Sequence, residues 1–229
     1  MLIKAGRHRQ AAARSSLPAA ESGGAEGNER LTAMTGAVLL IGLLIECYTI
    51  LRIGRLLTLH VFLGMLLLGP VTLKAISVLY RFTRYYTGSA PYRRKGPPAP
   101  LLRVMGPVIM LLTACVFGSG IMLAVTGPGN GPWLSLHRIS FIAWAVFMTI
   151  HVLAHAWRLP RLLAAEARGV ALADGEASGH DAGQRARRGM EVLSGRRTRI
   201  ALLSASLLAG LVIALLTVHL AGNWQPHFG

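Results

Sequence analysis

Charged side chains are scarce in this chain. They make up 14% of its 229 residues, whereas 53% of the residues are hydrophobic and the mean hydropathy is +0.50. Soluble domains average about 25% charged residues. The sequence is therefore too apolar for an ordinary soluble domain, and it predicts a protein whose solvent is a membrane.

Cysteine and the motifs of soluble enzymes are also lacking. The two cysteines, Cys47 and Cys115, fall inside apolar runs, which excludes a disulfide framework or a CxxC metal site. The sequence contains no GxGxxG after a strand and no Walker A, HExxH or GxSxG motif. Any catalysis must therefore be carried by a bound cofactor or by a partner.

Positive charge, by contrast, is abundant, with a formal net charge of +15. The basic residues cluster between long apolar runs instead of following one amphipathic face, so they predict membrane topology and no binding to nucleic acid. Arg supplies 21 of the 24 basic residues. Such a bias is typical of high-GC bacterial genomes, and we expect a bacterial protein.

Five apolar stretches are long enough to cross a hydrocarbon core of roughly 30 Å, which takes about 20 residues. They run over 31–49, 57–80, 104–125, 137–157 and 200–220. Because lipid offers no partner to free backbone groups, each must be helical. The predicted fold class is all-α, an integral membrane bundle of five transmembrane helices, with a four-helix core plus one C-terminal helix.

The loops predict the orientation, since Lys and Arg favour the cytoplasmic side. Five basic residues precede the first span, six lie in the second-to-third loop and nine lie between positions 158 and 199. The opposite side holds only Arg52, Arg55 and Arg138. We therefore expect a multi-pass protein of the cell (inner) membrane, with its N-terminus in the cytoplasm and its C-terminus outside.

The remaining segments divide the chain into five parts. These are a disordered cytoplasmic tail (1–30), the four-helix bundle (31–158), a flexible cytoplasmic linker that isolates the fifth helix (159–198), that helix (199–221) and an outer tail (222–229). The turn at 127–136 is short, uncharged and rich in Pro and Gly. It predicts that the third and fourth spans are antiparallel neighbours.

Ionisable groups inside spans cost roughly 2.5 to 3.5 kcal/mol at the bilayer centre, so each is a functional candidate. His137 and His151 are 14 residues apart, which places them within roughly 40° on one helix face and about 21 Å apart along the axis. His155 stays on that face, one turn further on. His60 and Lys74 repeat the 14-residue interval on the second span. Because the second and fourth spans run in the same direction, His60 is expected level with His137, and Lys74 level with His151.

The pair His60 and His137 meets the requirement of a membrane haem b. Such a haem needs two neutral imidazoles from different helices, facing each other at equal depth across a flat porphyrin. Arg138 could neutralise a haem propionate at the outer surface. There are two competing interpretations. The histidines could lie at matched depths by chance and serve only in helix packing, or His151 and His155, four residues apart, could form a metal site on one helix face.

This arrangement resembles the membrane cytochrome b superfamily, the four-helix haem bundle shared in outline by respiratory cytochrome b and the bacterial cytochrome b561-type electron carriers. The resemblance covers roughly residues 31–157. It rests on ligands in the second and fourth spans, none in the first and third, and the interval in LHRISFIAWAVFMTIHVLAH. It implies an outer haem on His60 and His137, and an inner haem on His151 or His155.

The second span departs from the family pattern at Lys74, which stands where an inner histidine is expected. Three interpretations stay open: Lys74 ligates an inner haem as a neutral amine, it pairs with a propionate, or there is no inner haem. The predicted cofactor is haem b, with one per chain expected and a second left open. His219 could replace an outer ligand if the fifth helix packs against the bundle.

Two further features carry charge near the membrane surfaces. Glu46, toward the outer end of the first span, is expected to pair with Arg52 and Arg55, with a role as proton acceptor for quinol as the alternative. The run RFTRYYTGSAPYRRKGPPAP follows the second span and is expected to anchor lipid headgroups. Docking of a cytoplasmic electron donor is the other interpretation of this run.

The predicted function is a membrane cytochrome that passes electrons between a quinol or cytoplasmic donor and an acceptor on the outer face. It would serve as the electron-transfer subunit of an oxidoreductase and not as a self-sufficient enzyme. By the resemblance, the acceptor could be an outer-face oxidoreductase subunit. The alternative is a haem-free polytopic protein, either a small transporter or an anchoring subunit, with an intramembrane relay of His, Lys and Glu.

Overall fold

The computed structural model describes residues 19–94, 100–129, 131–156, 164 and 182–227. The first part of the predicted tail, much of the predicted linker and the side chain of His155 lie outside the described residues. The elements in this part of the chain are α1 (Ala19–Leu51), α2 (Ile53–Tyr86), α3 (Ala90–Arg94), α4 (Pro100–Thr126), α5 (Gly131–Ala156), α6 (Ala182–Thr217) and a 3₁₀ helix (Val218–His227).

Five helices in the described ranges are long and apolar enough to cross a membrane. They cover Gly27–Leu51, Ile53–Tyr86, Arg103–Thr126, Gly131–Ala154 and Gly195–Trp224. Their most apolar windows have mean hydropathies of 1.5 to 2.5, yet no more than 17% of any window is buried inside the protein. Apolar surface left so open is solvated by lipid acyl chains. The predicted all-α fold with five transmembrane helices is confirmed.

Two helices begin earlier than the sequence predicts. Residues 19–30, expected in a disordered tail, form the start of α1. Their three Ala and three Glu residues favour a helix while their three Gly residues oppose it. A tertiary contact supports the helix, since the side-chain amide of Asn28 donates to the Ser77 carbonyl at 3.2 Å. Likewise, α6 begins at Ala182, so the final part of the predicted linker is helical.

Helices α1 and α2 are antiparallel neighbours joined through the single residue Arg52. The chain reverses between Arg52 and Leu56 because both leave helical geometry, Arg52 with φ −126° and ψ 32°, and Leu56 with φ −113° and ψ 17°. Contacts then pair the two helices along their length: Asn28 with Ser77, Gly42 with Leu67, and Glu46 with His60. Residues near the shared turn therefore lie at matching depths, which brings Glu46 level with His60.

Helices α4 and α5 form the second antiparallel pair, as their uncharged connection predicts. Gly127 closes α4 with φ +73°, a conformation that favours glycine, and its N–H donates to the Leu123 carbonyl at 3.0 Å. Further along the pair, the Trp144 indole donates to Thr113 Oγ1 at 2.9 Å. This pairing sets the distance and rotation between the α4 and α5 faces.

The fifth span packs directly on α2. A Cβ built on Gly69 would lie 1.8 Å from the Ser206 carbonyl oxygen, and one built on Gly210 would lie 2.0 Å from the Leu66 oxygen. Only glycine allows backbones to approach so closely. The expectation that the linker isolates this helix is therefore wrong. Gly69 and Gly210 let α2 and α6 pack closely even though a long segment connects the fifth span to the first four.

A small core lies where α2, α4 and α6 meet, built on Met65, Ala124 and Ala214. Helices α2 and α5, in contrast, do not touch through their backbones. Within the described ranges, no Cα atom of α2 comes within 8 Å of one of α5. The space between these two helices is crossed by the side chains of the candidate site.

Candidate functional site

His60 on α2 and His137 on α5 face each other across the gap between their helices. Their ring centroids are 6.4 Å apart, and the ring planes are nearly perpendicular, at 83°. The structure thus brings together the two residues that the sequence predicts to lie at equal depth. Their role as ligands stays a prediction.

The His137 ring has a defined tautomer. Its Nδ1 lies 3.0 Å from the Val116 carbonyl oxygen, which can only accept a hydrogen bond, so Nδ1 carries the proton. Ser119 Oγ lies 3.2 Å from the same nitrogen and itself donates to the Cys115 carbonyl at 2.6 Å. In the neutral ring, Nε2 therefore keeps its lone pair.

Residues of α1 hold the His60 ring in the same tautomer, with the proton on Nδ1. Its Nδ1 lies 3.0 Å from Glu46 Oε1 and 3.1 Å from Thr49 Oγ1. Thr49 is fully buried and gives its own proton to the Glu46 carbonyl oxygen at 2.6 Å. His60 Nδ1 is therefore the donor to the ionised Glu46 carboxylate, and in the neutral ring its Nε2 also keeps a lone pair.

Glu46 does not form the ion pair expected of it. It contacts His60 and Thr49, and within the described part of the chain no Arg or Lys nitrogen lies within 4.0 Å of its carboxylate. Arg52 and Arg55 are exposed at the end of the helices, whereas Glu46 lies deeper and faces α2. The predicted pairing with Arg52 and Arg55 is wrong because depth and helix rotation direct the carboxylate to His60.

Neither Nε2 has a hydrogen-bond partner among the described side chains and backbone groups. Two imidazole lone pairs near each other in an apolar medium are a pair of ligands for a cation. No group of three or more His, Cys, Asp or Glu residues that could hold a metal occurs within the described ranges. The pair could hold a metal whose other ligands come with it, as the four porphyrin nitrogens of haem do.

The residues present fit a haem in spacing. Two opposed imidazoles with metal–nitrogen bonds of about 2.0 Å would have ring centroids about 6.3 Å apart, close to the separation observed here. Within the described ranges the Cα atoms of α2 and α5 stay more than 8 Å apart, so the backbones of these two helices do not close the space between the rings. Gly120 on α4 keeps the back of the His137 ring free, since a Cβ there would lie 3.1 Å from His137 Cε1.

The Lys74 side chain points toward α1 and not toward α5. Its Nζ donates to the Thr32 carbonyl on α1 at 2.6 Å, and a Cβ on Gly36 would lie 2.9 Å from it. Thr32 in turn is hydrogen-bonded to Ser77 and to the Asn28 carbonyl. Lys74 therefore belongs to a polar contact between α1 and α2, and the structure does not bring it together with His151 on α5.

The other described candidate residues make no hydrogen bond or ring contact with the His60 and His137 side chains. Arg138 follows His137 and is exposed, and His219 is exposed in the 3₁₀ helix. His151 is half-buried on α5. The His155 side chain lies outside the described residues, so the i, i+4 metal site on His151 and His155 and the inner haem ligands stay predictions.

Sequence reasoning missed the partners that fix the two rings. These partners are Thr49, Ser119 and the Val116 carbonyl, together with Glu46, for which the sequence predicts an ion pair with Arg52 and Arg55. A count from the turn at Arg52 could have found Glu46, because it precedes Arg52 by six residues and His60 follows by eight. No comparable signal marks a backbone carbonyl such as that of Val116.

Comparison of this chain with protein-family models, with curated proteins and with solved structures finds no match.

Proposed function

We propose that this protein is a b-type membrane cytochrome in which His60 and His137 would hold one haem. The observation that supports this most is the facing pair itself: two imidazoles 6.4 Å apart, each with Nδ1–H bonded to the protein and Nε2 left for a metal. Haem in this position supplies one-electron redox chemistry within the membrane.

The chain's own residues position and tune that chemistry. Glu46 and Thr49 orient His60 from α1, while Val116 and Ser119 orient His137 from α4. Exposed Arg138, next to His137, is the residue that would neutralise a propionate at the surface. The apolar side chains of the surrounding helices would limit the access of water and bulk ions to a haem held there.

A single haem is the stoichiometry we favour. The position on α2 that would serve an inner haem is Lys74, and its Nζ is bonded to Thr32 on α1. The protein would then carry electrons in one half of the bilayer. By the positive charge of the loops, that half is the outer one of a bacterial inner membrane, with the N-terminus in the cytoplasm.

The proposed reaction is electron transfer between a quinol or cytoplasmic donor and an acceptor on the outer face, such as an oxidoreductase subunit. The absence of soluble-enzyme motifs from the sequence supports a role as a subunit and not as a complete enzyme.

The test is a reduced-minus-oxidised visible spectrum of detergent-purified protein expressed with ample haem. Wild type should show a sharp α band, and His60→Ala and His137→Ala should each abolish it because each removes one of the two imidazoles that would hold the haem. His219→Ala is the matched control, since His219 is exposed and should leave the spectrum unchanged. A colourless wild-type protein would contradict the proposal.

The contact between Glu46 and His60 also favours a second candidate, a haem-free membrane protein with a proton relay. A carboxylate bonded to an imidazole can pass a proton along the bond at 3.0 Å. The spectrum separates the two functions, because a relay protein stays colourless with or without its histidines.

A further inference from the structure

The two imidazoles of the candidate site are held by unlike partners. His137 Nδ1 donates to a neutral backbone carbonyl, that of Val116, at 3.0 Å. His60 Nδ1 donates to the carboxylate of Glu46 at the same distance. The site is therefore electrostatically asymmetric, with the only carboxylate in contact with either ring, among the described residues, placed on the α1 side.

The Glu46 carboxylate is well sheltered. Its side chain is 13% exposed, and that of His60 is 21% exposed. On one side, Thr49 Oγ1 lies 3.5 Å from Oε2, and on the other a Cβ at Gly64 would lie 3.5 Å from Oε1. A charge in such a poorly polarisable setting acts on its neighbours more strongly than one in water.

A carboxylate partner changes what a coordinating imidazole does. A hydrogen bond to an ionised acceptor is about twice as strong as one between neutral groups. It also raises the basicity of the ring and fixes its tautomer. A more basic ligand, together with a nearby negative charge, stabilises the oxidised iron relative to the reduced iron.

We infer that Glu46 is a positioning residue that holds His60 as the Nδ1–H tautomer and lowers the reduction potential of the iron bound by His60 and His137. This inference rests on the proposed function. Glu46 would thus tune the reduction potential from the α1 side of the site, through its hydrogen bond to His60 and its charge, without being a ligand itself.

The test is a redox titration at one fixed pH, together with haem quantified per chain. Glu46→Gln keeps an oxygen that can accept from Nδ1 but removes the charge, so we expect unchanged haem content and a midpoint potential above that of wild type. Cys47→Ala is the matched control. Cys47 is adjacent in sequence and exposed, so its replacement should leave the potential unchanged.

A potential for Glu46→Gln equal to that of wild type, at full haem content, overturns the inference and leaves the proposed function standing. A wild-type protein without haem removes the proposed function itself. If Glu46→Gln loses its haem, Glu46→Asp decides. It keeps the negative charge, so haem bound at close to the wild-type potential supports the inference, whereas loss of haem, or a potential well above that of wild type despite the retained charge, overturns it.

Discussion

The orientation of the His137 ring depends on the space beside the ring as well as on its hydrogen bonds. Val116 and Ser119 contact Nδ1, while Gly120, one residue further along α4, lies against the Cε1 edge. A methyl group at Gly120 would lie 3.1 Å from Cε1, closer than ordinary van der Waals contact. Because hydrogen bonds at Nδ1 fix the His137 ring, the ring cannot move away from an added methyl group without breaking those bonds.

We therefore expect Gly120→Val to reduce haem bound per chain severalfold, because the branched side chain displaces the His137 ring. Gly118→Val is the matched control. It lies on the same helix, and a Cβ there meets nothing within 4 Å. Haem per chain is measured on the purified proteins. An equal loss of haem in both variants would show that α4 tolerates no branched residue and that contact with the His137 ring does not cause the loss.

At the scale of helices, the contact between α2 and α6 depends on a proline as well as on two glycines. Pro70 lies inside α2 and has no N–H, so the Leu66 carbonyl lacks its usual helical donor. Gly210 on α6 approaches that same carbonyl. A close Cα–H contact from a glycine can partly satisfy such an oxygen in a membrane.

Replacing Gly69 by Ala should destabilise the folded protein by about 1 to 3 kcal/mol, the usual cost of overpacking. The added Cβ would lie 1.8 Å from the Ser206 oxygen, so α2 and α6 would have to separate. Gly106→Ala, where a Cβ meets nothing within 4 Å, should be neutral or slightly stabilising. Unfolding in detergent would measure both, and equal stabilities would contradict the packing described here.

For the whole molecule, the ends of the bundle differ in character. The Trp224 indole donates to the Leu123 carbonyl at 3.0 Å, which brings the end of the fifth span to the turn between α4 and α5. At the opposite end, Tyr80 packs edge-on against Tyr92 among exposed arginines. A tryptophan at one end and tyrosines with arginines at the other are typical of two membrane interfaces.

Cysteine labelling would test which end is outside. In a Cys47→Ala, Cys115→Ala background, a cysteine at Gly131 should react with an impermeant maleimide on intact cells. A cysteine that replaces Ser89 should react only after the cells are permeabilised. The reverse result would invert the topology that we propose.

Much of this arrangement could be predicted from the sequence. The spans follow from the lengths of apolar runs, and the level placement of His60 and His137 follows from counting residues along parallel helices. The partner of Glu46 and the docking of α6 could not be predicted with the same reasoning. Both depend on how each helix rotates about its axis and on close backbone contacts, which residue counts along single helices do not specify.

The central claim is that one pair of histidines binds one haem, and the most direct measurement is the number of haems per chain in purified wild-type protein. Haem is quantified as its pyridine complex and the protein by amino-acid analysis. We predict one haem per chain. A value of two would require an inner site at His151 or His155, and a value of zero after expression with ample haem would contradict the account.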